Sequence, residues 1–248
     1  MSRSLHALVS TIRSTPLASL FGKRILVVTG HPDDESYLAA GTLSLLSQCG
    51  CRVDLFCATN GEKGASHMKR PVTLPELSQI RAQELRRACG ILRIHNVVFG
   101  NVPDGELHKV KNKNAIAKKI SAFAKLYRPN TIMSFGPDGV TGHLDHIIMG
   151  KLAKQVAKKN KLCFVAFALP PKASQRAHEW LISRRRNPHY ISPKKIWYQI
   201  PTIKVLIDQK IKRKALLAHK SQLDGKDVFT GFPRFVAREL LKAEYFVL

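Results

Sequence analysis

The sequence predicts an α/β fold, a mostly parallel sheet flanked by helices, on three observations. Short runs of apolar, largely β-branched residues alternate with longer stretches of helical period along most of the chain. Glycine or proline punctuates most of the changeovers. Polar clusters recur where the predicted strands end, at 30–35, 60–64, 103–106 and 136–146. In a parallel sheet those loops converge on one edge, where open α/β sheets place their sites.

The elements follow in order. Ile25–Thr29 reads as the first strand and Leu38–Gln48 as a helix stopped near Gly50. Arg52–Ala58 is a second strand, Pro75–Cys89 a helix with Gly90 after it, and Asn96–Phe99 a short strand. Asn114–Tyr127 is amphipathic, with Ile116, Ile120 and Phe123 on one face and lysines on the other. Thr131–Phe135 is a strand, Asp145–Lys159 a helix and Leu162–Leu169 a buried strand. Beyond that the pattern is less regular. Trp197–Gln199 and Val205–Ile207 are expected to form an antiparallel C-terminal hairpin, with a helix over Asp208–Gln222.

At 248 residues with 44% hydrophobic and 23% charged residues, the composition suits one large domain spanning 1–248. No apolar run approaches the roughly 20 residues of a membrane-spanning helix. Residues 1–22 form a basic extension in which Leu5, Leu8, Val9 and Ile12 mark one helical face before Pro16. Docking of that face on the domain is the favoured expectation. Contact with an anionic membrane and an organellar transit peptide are the alternatives. Of the five cysteines, Cys57 and Cys163 lie in apolar runs and are expected to be buried free thiols, and the set suits a reducing, cytoplasmic compartment.

Charge is the unusual quantity. There are 41 Lys and Arg against 17 Asp and Glu, a net of +24. Seven basic residues and no acid lie between Leu107 and Pro137, and again between His146 and His178. Two readings compete: a solvated basic surface, or attraction to a polyanion such as an acidic glycan or a lipid headgroup. Aromatic content is 7% with no interleaved aromatic and basic stacking motif, which argues against sequence-specific nucleic-acid binding. Arg184, Arg185 and Arg186 read as a solvated turn, with a substrate anion as the alternative.

The segment Arg24–Glu35 carries the chemistry. Its apolar run stops at Gly30, and His31, Asp33, Asp34 and Glu35 follow at the strand end. His31 and Asp34 are spaced to reach one metal ion, leaving Asp33 free for proton transfer. The second cluster, Gly136–His146, holds His143 and His146 three residues apart at a predicted helix start. His31, Asp34 and His146 make two imidazoles and a carboxylate, the ligand set of a catalytic zinc site. No G-x-G-x-x-G follows the first strand, which argues against a dinucleotide fold.

The pairing of His31–Glu35 with Gly142–His146 resembles the PIG-L/LmbE family of zinc-dependent N-acetylglucosamine deacetylases. Thr59–Gly64, Arg81 with Glu84, Ala88–Leu92, Asp104 with Gly105 and Leu107, and His219 with Ser221 and Gln222 extend the resemblance across most of the chain. The resemblance implies a Rossmann-like, LmbE-like sheet and removal of an acetyl group from an N-acetylglucosamine moiety of a glycoconjugate. It implies His31, Asp34 and His146 as ligands of Zn²⁺, or of another divalent ion such as Fe²⁺. Asp33 would be the general base, His143 would stabilise the transition state, and Arg81 and Asp104 would face the substrate. His219 and Gln222 are placed near the site by similarity, and Glu35 is either a partner of His31 or Asp33 or a favourable helix N-terminal charge.

The chain departs from one family pattern: Thr141 stands where some members carry a tyrosine that polarises the carbonyl. The anchored eukaryotic members have an N-terminal membrane helix, and its lack here points to a soluble, bacterial-type enzyme. Hydrolysis of another N-acyl amide, or non-catalytic binding of an anionic glycan or lipid, are the rival functions.

Overall fold

In a computed structural model, residues 10–12, 17–64, 66–184, 189–223, 225 and 227–248 are described. Eight strands form one sheet in the order β1-β7-β8-β6-β5-β2-β3-β4. They are β1 (Ser10–Ile12), β2 (Arg24–Thr29), β3 (Arg52–Cys57), β4 (Asn96–Phe99), β5 (Thr131–Phe135), β6 (Cys163–Ala168), β7 (Ile203–Leu206) and β8 (Ala243–Val247). All neighbours pair in parallel except β8, which runs antiparallel to both β6 and β7.

β2 lies centrally because its residues are apolar on both faces, and Ile25, Leu26, Val27 and Val28 are all buried. It pairs with β3 on one side (Thr29 opposite Cys57) and β5 on the other (Val27 opposite Met133). The chain winds from β2 out to β4 and then returns to the opposite side of β2. The strand order therefore reverses between β2 and β5, which opens a crevice at their carboxyl ends. Both histidine clusters leave the sheet at that crevice.

The helices are α1 (Leu17–Phe21), α2 (Asp34–Leu38), α3 (Ala40–Gln48), α4 (Leu74–Leu92), α5 (Val110–Tyr127), α6 (Gly139–Gly142), α7 (Leu144–Lys159), α8 (Pro171–Arg184), α9 (Gln209–Leu216) and α10 (Arg234–Lys242). α4 begins with a capping box: Thr73 accepts from the Glu76 amide while the Glu76 carboxylate accepts from the Thr73 amide. α7 lies directly on β5, because a Cβ at Gly150 would come within 2.2 Å of the Phe135 carbonyl oxygen.

Four expectations change. The helix expected over 38–48 forms as α3 over Ala40–Gln48, and a separate short helix, α2, precedes it across Ala39. The expected C-terminal hairpin does not form. Residues 197–199 are not a strand, Trp197 is 95% exposed, and β7 pairs with β8 instead. The expected N-terminal helix is not present over the residues described there: Ser10–Ile12 docks on the domain as an edge strand beside β7, whereas Leu5, Leu8 and Val9 lie outside the described residues. Cys163 opens β6 at the sheet margin and is exposed, while Cys57 is buried and both are free thiols.

Candidate active site

The loop after β2 is held open by backbone geometry. Asp33 has φ 111°, the left-handed side of the map, where Asp and Asn are the best tolerated residues after Gly. Glu35 holds it there. One carboxylate oxygen accepts from the Asp33 amide at 3.2 Å, and the other meets His219 Nε2 at 2.9 Å and the Ser36 hydroxyl. Glu35 and His219 are both buried, so this pair forms a fixed backing behind Asp33. Burial alone would lower the His219 pKa, but the adjacent Glu35 charge outweighs it and raises it.

Glu35 is therefore a partner of Asp33, one of the two roles open at the level of sequence. We expect Glu35→Gln to lower turnover by about 10–100-fold with folding retained. Turnover measured beside a thermal melt tests this, and full activity in the variant would remove Glu35 from the site's support.

Arg81 of α4 joins two of the strand-end loops. Its guanidinium donates to the Pro32 and Gly61 carbonyl oxygens and pairs with Asp33 Oδ2 at 3.2 Å. Gly61 has φ +69°, and any Cβ there would strike that guanidinium. Burial raises the Asp33 pKa, Arg81 opposes it, and the neighbouring Asp34 charge adds to the rise.

Asp34, His31 and His146 converge. His146 Nε2 lies 3.1 Å from Asp34 Oδ1 and 3.3 Å from His31 Nδ1, and His31 Nδ1 lies 3.8 Å from Asp34 Oδ2. The outward-facing nitrogens fix the tautomers. His31 Nε2 faces Asp145 Oδ2 at 3.3 Å and Asp104 Oδ1 at 3.2 Å, and His146 Nδ1 faces the Gly139 carbonyl at 3.3 Å. Both of those nitrogens face acceptors and so carry the ring protons. His31 Nδ1 and His146 Nε2 then face each other and the Asp34 carboxylate, and although burial would lower the His31 pKa, Asp104, Asp145 and Asp34 outweigh it and raise it. A divalent cation bound between these groups would take the place of the proton that His31 Nδ1 holds there.

A tetrahedral ion with ligands near 2.1 Å separates its donors by about 3.4 Å, close to the 3.3 Å between the two ring nitrogens, while Asp34 meets them through different oxygens, Oδ1 at 3.1 Å from His146 and Oδ2 at 3.8 Å from His31. The residues fit a divalent metal. His31 belongs to two overlapping groups of potential ligands, His31 with His143 and His146, and His31 with Asp104 and Asp145. The carboxylates of the second group lie on the ring edge opposite Nδ1, where they orient the imidazole. Burial would raise the Asp34 pKa, but His146 and His31 outweigh it and lower it to about 2.

His143 is the N-cap of α7, its Nδ1 accepting from the Asp145 amide at 3.2 Å. The cap puts the ring's proton on Nε2. His143 sits 4.7 Å from His146 and 5.0 Å from His31 between ring centroids. Tyr190 meets it edge-on at 4.8 Å and His189 stacks at 6.1 Å.

Asp104, Arg81, Thr141 and Gln222 all border the cavity above these groups, whose volume is about 730 Å³. Asp104 is committed to His31 and to the Lys63 amide at 3.0 Å. The motif around His219 folds back onto α4, where Glu84 accepts from the Ser221 amide and hydroxyl at 2.8 and 2.7 Å. Sequence reasoning missed Asp145, His189 and Tyr190. Asp145 lies within the Gly142–His146 motif and was open to notice; His189 and Tyr190 carry no pattern of their own. Of the Arg184–Arg186 run, Arg185 and Arg186 lie outside the described residues.

The chain has relatives among known proteins. It is 29% identical over 205 residues to a protein of Bacillus cereus named probable N-acetyl-alpha-D-glucosaminyl L-malate deacetylase 2, covering 82% of this chain and 85% of that one. Two further curated relatives match over 57% and 51% of their own length. The fold is similar to N,N'-diacetylchitobiose deacetylase from Pyrococcus horikoshii, with a TM-score of 0.66, 21% identity and coverage of 91% of this chain and 83% of that one. It is also similar to GalB, the 4-carboxy-2-hydroxymuconate hydratase of Pseudomonas putida, with a TM-score of 0.61, 19% identity and coverage of 90% and 95%. One fold thus hosts a hydrolase and a hydratase, and the fold alone does not choose between them. Residues 26–157, which carry both histidine clusters, match the family model described as PIG-L: GlcNAc-PI de-N-acetylase, and the chain belongs to that family.

Proposed function

We propose that this protein hydrolyses the N-acetyl amide of an N-acetylglucosamine-containing conjugate, releasing acetate and a free amine. The observation that supports the reading is the convergence of His31 Nδ1 and His146 Nε2, 3.3 Å apart, on the carboxylate of Asp34, with Asp33 next in sequence and paired to Arg81. Those three residues would hold the divalent ion, for which zinc is our assignment because the donors are two imidazoles and one carboxylate. Its contribution when bound is Lewis acidity towards water and the amide carbonyl.

Asp33 accepts the proton of the attacking water, and Arg81 keeps its carboxylate in place. His143, with its proton on Nε2, donates to the carbonyl oxygen as negative charge develops there. When the C–N bond breaks, the amine nitrogen takes a proton from Asp33 or His143, and acetate leaves. Burial of His31 and Asp34 keeps bulk water from competing for these charges. Gln222, which borders the cavity, is our assignment for a contact with a sugar hydroxyl, and Asp104 borders the same cavity while held by His31 and the Lys63 amide.

Acetate release from N-acetylglucosaminides, read beside metal content by mass spectrometry, tests the proposal. We expect about one ion per chain by the ligand count, and loss of both metal and activity in His146→Ala. Native protein that neither carries nor takes up a divalent ion would overturn it.

The +24 net charge favours an anionic conjugate, but little of that attraction comes from the cavity itself. Among the described lining residues the Lys and Arg side chains are Lys63 and Arg81, and Arg81 is committed to Asp33. Attraction to an anionic substrate or membrane surface would therefore act at long range. We expect the rate on a phosphorylated N-acetylglucosaminide to fall more steeply with salt than that on a neutral one. Equal, salt-independent rates would remove the argument. We assign the reaction to the cytoplasm on the free thiols.

A further inference from the structure

The cavity above the polar site is larger than one hexosamine fills, and its far wall is apolar. α2 forms the junction. Asp34 in its first turn faces His146, while Tyr37 and Leu38 in its last turn line the same cavity about one helical turn, roughly 5 Å, further along. The wall continues through Trp180 and Leu181 of α8, Phe232, and Val236 of α10. Its aromatic rings are packed into one surface. Tyr37 stacks on Phe232 at 5.8 Å with the planes 19° apart, and Trp180 lies 4.5 Å from Phe232.

Apart from α2, the wall is built outside residues 26–157, the part that the family model matches. Water against such a surface has few partners, and an apolar group that displaces it gains free energy. The groups that face the metal position lie around His31 and Asp104, while Asp227 and Thr230 are polar residues bordering the cavity in the segment that carries Val228 and Phe232.

We propose that this wall receives an apolar aglycone, an alkyl chain or an aromatic ring carried by the N-acetylglucosamine, so that the substrate is amphiphilic. The proposal rests on the deacetylase reading of the polar end. It differs from what the Bacillus cereus relative is named for, whose aglycone, L-malate, is polar.

The test has two arms. In the first, acetate release is compared for methyl, hexyl and phenyl N-acetylglucosaminides with the metal-loaded protein. We expect kcat/KM for the hexyl or the phenyl compound to exceed that for the methyl compound by about tenfold or more, from apolar surface removed from water. That ratio falls towards one in Leu181→Gln and in Leu38→Gln, two partly exposed positions, with thermal melts confirming that each variant is folded. In the second arm, hexyl β-glucoside, which has no amide to cleave, is titrated calorimetrically below its micellar concentration. We expect saturable binding that weakens in the same variants. An active enzyme with equal kcat/KM for all three substrates overturns the proposal and leaves the deacetylase reading standing. If no substrate releases acetate, that reading falls. Hexyl glucoside binding lost in both variants then still supports the apolar compartment, and failure to bind overturns it.

Discussion

Asp33→Asn is expected to lower kcat by about 10²–10⁴-fold while metal content and thermal stability stay at wild-type values. The choice of asparagine matters. Asp33 sits at φ 111°, so a β-branched or bulky replacement would disturb the loop through the backbone and confuse the result. Asparagine tolerates positive φ and keeps the side-chain shape. It therefore changes what the group can do with a proton and little else.

The expected separation follows from geometry. The carboxylate of Asp34 lies within 3.8 Å of both ring nitrogens that face the metal position, whereas that of Asp33 is paired with Arg81. Removing a ligand should empty the site, as predicted for His146→Ala, and removing the base should leave it filled but slow. Acetate release and metal analysis on the same preparations distinguish the two. If Asp33→Asn loses its metal, Asp33 is a ligand and the division of roles within the motif is wrong. If it keeps its rate, another group takes the proton.

That His31, Asp33 and Asp34 meet at one strand end is legible in the sequence because it is local. A buried strand that ends in His-Pro-Asp-Asp-Glu can present only a few side chains to the crevice, and the parallel sheet brings the Gly142–His146 turn to the same edge. The strands β2 to β6 are legible for a related reason. They are apolar, short and bounded by turn residues, and nothing in their sequences competes with that pattern.

What stays hidden depends on distant partners. Glu35 has no single role at the level of sequence because its role lies in a contact with His219, 184 residues away. The apolar wall comes from α8, the segment around Phe232 and α10, where periodicity is weak over short lengths and no motif marks the residues. β1 is hidden because three residues carry no usable period, and its pairing with β7 decides its conformation. β8 is the clearest case. Its sequence, Ala243–Val247, places a glutamate inside a fully buried stretch, which argues against a strand unless a buried cation waits for it.

That cation is Lys212, and the pair supplies the largest expected effect on stability. Lys212 Nζ donates to Glu244 Oε1 at 2.9 Å and to the Tyr37 carbonyl at 2.7 Å, and both side chains are fully enclosed. Burial lowers the Lys212 pKa, and the Glu244 charge works against that shift. The carboxylate also accepts from the Gly41 and Thr42 amides at 2.9 and 2.7 Å. These are first-turn donors of α3 that the break at Ala39 leaves without helical partners. One carboxylate on β8 thus caps α3 and, through Lys212, holds the end of α2, the helix that begins with Asp34.

Glu244→Ala would strand an ammonium and two amides in the interior. We expect a loss of about 3–5 kcal/mol, which for a chain of this size lowers Tm by about 6–20 °C. The double variant Lys212→Met/Glu244→Gln removes the stranded charge and keeps an acceptor for one amide, so it should recover much of the loss. Thermal denaturation of the wild type, the single variant and the double variant decides the matter. A single variant within a degree or so of wild type would show that water reaches the pair. A double variant no more stable than the single would mean that the amide caps, and not the ion pair, carry the energy.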